Sequence, residues 1–188
     1  MSLPDTDRQT LHQIANASIR YSLEHGADTE YERTLHLTDY SPALLQTRAT
    51  FVTLHMDDQL RGCIGTLEAR LPLTIDTAHN ARAAAFHDPR FAPLSKPEFD
   101  RLRIHISILG IPEAMTFSSE QDLIRQLRPG VDGLILTTAG RRGTFLPSVW
   151  ESLPAPDVFL AHLKLKAGLP TSYWPADVKV ERYTTESF

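Results

Sequence analysis

Phe51-Val52-Thr53-Leu54-His55-Met56-Asp57-Asp58-Gln59-Leu60-Arg61-Gly62-Cys63-Ile64-Gly65-Thr66 is the stretch whose reading decides the fold of this 188-residue chain. Phe51, Thr53 and His55 alternate with Val52, Leu54 and Met56, the period of a strand with two unlike faces. Asp57-Asp58-Gln59 then turns the chain into a second strand, Leu60 to Thr66, and the pair reads as a hairpin. A strict period of two puts Leu60, Gly62 and Ile64 on one face and Arg61, Cys63 and Gly65 on the other.

Working outward, Leu71-Pro72-Leu73-Thr74 opens an alanine-rich helix running to Phe86, and Asp88-Pro89 with Phe91-Ala92-Pro93 breaks it into a loop. A short helix around Pro97 to Leu102 follows. Ile104, Ile106 and Ile108 alternate with His105 and Ser107 as a half-buried strand, ended by Gly110 and Pro112. Upstream, Leu11, Ile14, Ala15, Ser18 and Tyr21 make a helical stripe opened by Asp5 or Thr6 and stopped near Gly26. Residues 27 to 48 read as a polar excursion with little regular structure. Downstream, Ser118 with Gln121 reads as a capping box for a helix through Leu127. Leu134 to Thr138 and Arg142 to Leu146 read as strands joined by a tight turn at Ala139-Gly140, Pro156 to Ala167 as a helix, and Val178, Val180 and Tyr183 as a closing strand. Arg142-Gly143-Thr144-Phe145 echoes Arg61-Gly62-Cys63-Ile64, and each string is followed by helices and then a strand. Two copies of a β-β-α-α-β unit are therefore expected.

Composition bounds the function. Hydrophobic residues make up 41% and charged residues 22%, enough to build a core without disulfides or structural metal. One cysteine cannot form an internal bridge and fits a reducing, cytoplasmic setting. A formal net charge of -4 disfavours nucleic acid and anionic membranes as partners. Met1 to Thr10 has no apolar core of a leader, and no stretch has the length of a membrane span.

The chemistry-bearing segment is the second strand. Cys63 shares its face with the Arg61 guanidinium, and a nearby cation favours the thiolate, the nucleophilic and metal-binding form. Gly62 and Gly65 let a ligand or a second backbone approach closely. Three readings stay open: a packed thiol, which leads because free cysteine behaves as a small hydrophobe, a ligand contact, and a nucleophile. A nucleophile wants a base, and His55 and His105 are the candidates. His79, with Asp76 three residues before it, reads as a helix-surface histidine. Arg90 and the Arg141-Arg142 pair are local cations able to hold an anion. No metal-ligand spacing, phosphate loop or nucleophile elbow occurs, so neither a structural zinc nor a cofactor is expected.

Leu60-Arg61-Gly62-Cys63-Ile64-Gly65-Thr66, Asp88-Pro89-Arg90-Phe91 with Pro93-Leu94, Ile106-Ser107-Ile108-Leu109, Pro129-Gly130 with Asp132-Gly133-Leu134, Gly143-Thr144-Phe145-Leu146-Pro147 and Lys166-Ala167-Gly168 run in order along the chain. Together they resemble the AMMECR family, also called AmmeMemoRadiSam system protein A, from about residue 51 to Phe188. The resemblance implies an α+β fold of two subdomains with mainly antiparallel sheets. The larger, residues 1–112 with 175–188, holds both termini, and the smaller, 113–174, is inserted. It also implies that the signature strand faces a cleft between them, lined by Arg61 and Cys63; Gly62, Ile64, Gly65, Arg90, Arg142 and Thr144 are the further candidate binding residues. The family's association with Memo-type and radical S-adenosylmethionine proteins implies a binding or substrate-presenting component of their modification system, taking a peptide, protein or small ligand. An enzyme using Cys63 as nucleophile or acid/base thiol is the alternative. The resemblance names no reaction and gives His79 no role.

Overall fold

In the computed structural model, which describes residues 2–138 and 140–188, the hairpin forms as β1 (Thr50–Met56) and β2 (Gln59–Gly65). Its two-residue turn holds Asp57 and Asp58 at φ of 50° and 62°, the left-handed region that a two-residue hairpin loop demands and that aspartate tolerates. The register then slips. His55 faces Leu60 but Leu54 faces Gly62, so Arg61 is the extra residue of a β-bulge. The bulge corrects the expected alternation: Leu60 joins Thr53, His55 and Cys63 on the outer face, while Gly62 and Ile64 stay on the inner face opposite Leu54 and Val52.

The inner face of this sheet carries the first core. β3 (Leu102–Leu109) pairs antiparallel with β1 and brings Ile106 and Ile108 beside Val52 and Leu54, all fully or almost fully buried. The strand order is β2-β1-β3-β8, with β8 (Thr185–Ser187) supplied by the end of the chain. α2 (Leu73–Phe86) lies across this face, and its alanines Ala78, Ala81, Ala84 and Ala85 are all buried. Small side chains allow the helix to sit close: a Cβ on Gly62 would fall 2.1 Å from the Ala84 carbonyl oxygen. α1 (Asp5–His25) covers α2 with Leu11, Ile14 and Ile19. Buried Asp76 fastens the assembly, accepting hydrogen bonds from Thr50 N–H and Oγ1 at 2.7 Å each, Asn80 Nδ2 at 3.0 Å and Thr66 Oγ1 at 2.8 Å. Burial still raises its pKa, because desolvation outweighs these donors.

The chain divides into two compact units, one running to Leu109 and taking in Glu186–Phe188, the other Gly110–Thr185. The second repeats the plan of the first. β5 (Gly133–Thr138) and β6 (Arg141–Phe145) form a hairpin, α5 (Pro156–Lys166) follows, and β7 (Lys179–Tyr183) returns to pair with β5. The order is β4-β7-β5-β6, where β4 is Glu113–Ala114. Gly143 repeats the role of Gly62, with its missing Cβ 2.9 Å from the Leu163 carbonyl oxygen of α5. The fold is thus α+β with antiparallel sheets. The expected turn residue Ala139 lies outside the described residues.

Three expectations move. The closing strand 178–183, read as part of the larger subdomain, pairs with β5 instead, because Val180 and Tyr183 bury in the second unit. Only Glu186–Phe188 rejoin the first unit, where Ile106 and Phe188 exchange backbone hydrogen bonds. The cap of α4 (Glu120–Gln126) is Ser119 rather than Ser118: its hydroxyl accepts from Asp122 N–H at 3.1 Å, and Ser118 bonds the Asp122 carboxylate. The helix after Asp88 is shorter than expected, α3 (Lys96–Phe99), and carries a capping box between Ser95 and Glu98.

Candidate functional site

β2 is the edge of its sheet, so one row of its backbone donors and acceptors lacks a partner strand. The segment after α2 fills that row with side chains. Cys63 N–H donates to Asp88 Oδ2 at 2.8 Å, and Arg90 Nη2 donates to the Cys63 carbonyl at 3.3 Å. Arg90 also grips Asp88 with both arms, Nε to Oδ1 at 2.9 Å and Nη2 to Oδ2 at 2.7 Å. The bidentate Arg90 contact and the two backbone N–H donors hold the buried Asp88 carboxyl far below the ordinary carboxylate range, overcoming desolvation.

A second clasp sits beside the first. Arg61, turned out of the alternation by the bulge, donates Nε to Glu98 Oε1 at 2.8 Å and Nη2 to the Ala92 carbonyl at 2.9 Å. Arg61, then the Ser95 hydroxyl and N–H, push the Glu98 carboxyl down to about 2. Phe91 lies between the two clasps, its ring centre 5.9 Å from the Arg61 guanidinium carbon and 5.4 Å from that of Arg90. Arg61 Nη1 is buried and makes no hydrogen bond.

The Cys63 thiol is half-buried, and its hydrogen-bond neighbour is Thr53 Oγ1 at 3.3 Å. Across the outer face Cys63 pairs with Thr53, and Thr53 with His105. His105 therefore lies two strands from the thiol, roughly 10 Å at about 4.8 Å per strand. His55 lies one outer-face position along, opposite Leu60 and Arg103. Thr53 occupies the place a base would need. Burial, and secondarily the charge of His55, lowers the His105 pKa and favours its neutral form.

The other expected site residues belong to different elements. Gly62 admits the α2 backbone, and Gly65 admits the Phe51 ring and the Thr50 carbonyl, 2.3 Å and 2.5 Å from an added Cβ. Ile64 packs on the first core. Arg142 and Thr144 belong to β6 of the second unit, opposite Thr137 and Ile135, and the Thr144 hydroxyl is buried without a hydrogen bond. Four residues that the sequence reading did not assign to the site help to build it: Thr53, Asp88, Phe91 and Glu98. Asp88 and Phe91 stand in the Asp88-Pro89-Arg90-Phe91 block, and Glu98 carried a cap signal through Ser95-x-x-Glu98. Among the described residues no cluster of histidine, cysteine and carboxylates has the makings of a metal centre.

Comparison with known proteins supplies the family context. A family model described as AMMECR1 matches residues 12–188. A Methanocaldococcus jannaschii protein, MJ0810, is 36% identical over 160 residues, covering 81% of this chain and 78% of the relative. A Thermotoga maritima protein is 41% identical over 148 residues, 77% of this chain and 80% of that one. The crystal structure of the uncharacterized protein PH0010 from Pyrococcus horikoshii superposes with a TM-score of 0.84 at 32% identity, covering 100% of this chain and 93% of that chain.

Proposed function

The chain belongs to the AMMECR1 family, and from that premise we propose that it is a binding or substrate-presenting component rather than a thiol enzyme. The ligand is a peptide, protein or modified group, and the partners are a Memo-like protein and a radical S-adenosylmethionine enzyme. The observation that carries this reading is the way the family string is used up internally. Arg61 is committed to Glu98, Asp88 to Arg90 and the Cys63 backbone, and the thiol meets a threonine instead of a base. Such a constellation fixes the shape of the outer face around Cys63 and leaves the half-exposed Arg90 guanidinium at its border. Rigid, pre-formed surfaces favour binding because little order remains to be imposed on them.

The Cys63→Ser variant tests it. Serine nearly keeps the volume and finds the Thr53 hydroxyl as a partner, so the melting temperature should stay within about 3 °C of wild type. Crosslinked affinity purification from cells producing both partner classes should recover them with wild type and with Cys63→Ser alike, and the variant should support the system in vivo. A folded Cys63→Ser protein that captures partners but has lost all in vivo function would overturn the binding reading in favour of thiol chemistry. Repeated failure to recover either partner with wild type would remove the partner assignment.

A further inference from the structure

His79 takes no part in the site around Cys63, yet this half-exposed histidine borders a buried and incompletely bonded pair, Glu32 and Arg82. It lies on α2 one turn before Arg82, and both reach a carboxylate from the excursion that follows α1. His79 Nδ1 and Arg82 Nη2 each lie 3.4 Å from Glu32 Oε1. Arg82 Nη1 reaches the Ala27 carbonyl at 3.5 Å. Eight positions after His79, His87 Nε2 lies 3.5 Å from Asp28 Oδ1. Every one of these contacts is at the long end of the hydrogen-bond range. Glu32 Oε2 and Arg82 Nε are buried with no partner at all.

Little apolar burial supports the same segment. The helical turn Tyr31–Thr34 contains no buried residue, and from the segment Tyr31 and Leu35 pack partly on the core, the Tyr31 ring 5.6 Å from that of Tyr21. A segment held by long polar contacts and two part-buried apolar side chains is drawn from the low-stability end of a fold and opens locally before the rest.

We propose that residues 27–35 form a strap on α2 whose seat is released when His79 loses its proton. Protonated, His79 donates to Glu32 and shares its charge with a carboxylate that Arg82 alone satisfies incompletely. Neutral, the ring carries no charge for Glu32, and its Nδ1 becomes an acceptor for Arg82 Nη2 3.4 Å away, which draws the guanidinium from the carboxylate. The surrounding charges set the sign. Glu32 favours the protonated ring most strongly, Asp76 on the same helix favours it too, and Arg82 opposes it. Glu32 itself is held below its ordinary range, so it stays ionised throughout. The remaining charged groups of the strap, Glu30 with Arg33 and Asp28 with His87, pair away from His79, and on α1 His25 stacks on Tyr21. Because pairing raises the His79 pKa, its contribution to the seat is complete below the unfolded value of about 6.5 and is lost as pH rises through the folded value. Release uncovers Arg82, now only 7% exposed.

Hydrogen exchange on the intact chain between pH 5.5 and 8.5, corrected for intrinsic exchange, reads the strap directly through the amides of Thr29, Arg33 and Leu35. Their protection should fall roughly two- to five-fold as pH rises, the scale of one partly exposed ion pair, while β1 amides stay unchanged. His79→Gln should show the high-pH protection at every pH, and His87→Gln should keep the wild-type dependence. An NMR titration of the His79 ring in wild type should give a midpoint above the ordinary histidine value. Flat protection in wild type, a dependence that survives His79→Gln, or a His79 midpoint at or below the ordinary value each overturns the proposal. The wild-type titration decides the matter even where a variant fails to fold.

Discussion

Gly62→Ala should lower the melting temperature by roughly 6–12 °C, the effect of about 3 kcal/mol in a chain of this size. The added Cβ would sit 2.1 Å from the Ala84 carbonyl oxygen, an atom of the α2 backbone that no rotamer change can move aside. Gly62 has no positive φ, so the whole effect is steric. The helix has to lift, and lifting it opens the alanine seam formed by Ala81 and Ala84. It also drags Asp88, two residues past the end of α2, away from the Cys63 N–H that it caps. Gly143→Ala is the control. Its Cβ would meet Leu163 O at 2.9 Å and Ala167 Cβ at 3.0 Å, contacts a small shift relieves, so a drop of roughly 2–5 °C is expected. Thermal melts of both variants check the ranking. A Gly62→Ala protein melting within 2 °C of wild type would mean that α2 does not sit this close to β2.

The hairpin, the helix that follows it and the return strand of each unit were legible because each advertises itself locally, by a period of two, by the alanines of α2 or by the apolar stripe of α5. Leu60 was placed on the wrong face for a reason local pattern cannot reveal. A simple two-residue turn pairs Thr53 with Gly62, and only the bulge at Arg61 moves Thr53 opposite Cys63. The neighbour of the thiol was hidden with it. β4 and β8 are two and three residues long, too short to show a period, and exist because a longer strand already offers an edge. Glu98 went unread, because its bond to Arg61 joins residues far apart in sequence. Gly62 and Gly65 were read correctly as positions of close approach. What approaches them is this chain's own backbone and the Phe51 ring, which turns a ligand-contact signal into a packing signal.

Asp88→Asn should cost about 2–4 kcal/mol, the range for removing one member of a buried, charge-assisted network, and lower the melting temperature by roughly 5–12 °C. All the groups facing Asp88 are donors: Cys63 N–H, Arg90 N–H and the Arg90 guanidinium. An asparagine must turn its own NH2 toward one of them, setting donor against donor in a place that is 4% exposed. The Arg90 side chain is 53% exposed and recovers part of its loss in water, which keeps the effect short of a full buried-charge penalty. Acid titration separates this account from simple loss of packing. The folded Asp88 carboxyl ionises far below its unfolded value of about 3.9, so its contribution is present above that value and is lost as pH falls toward the folded one. Glu98, held at about 2 by Arg61 and Ser95, weakens in the same window and does so in both proteins. Urea unfolding at pH 7, 5, 3.5 and 2.5 should therefore show wild type losing stability from about pH 5 downward, with the gap to Asp88→Asn narrowing as the Asp88 contribution fades. A gap that stays constant from pH 7 to 2.5 would show that the Asp88 charge does not hold the signature strand, and that shape alone does.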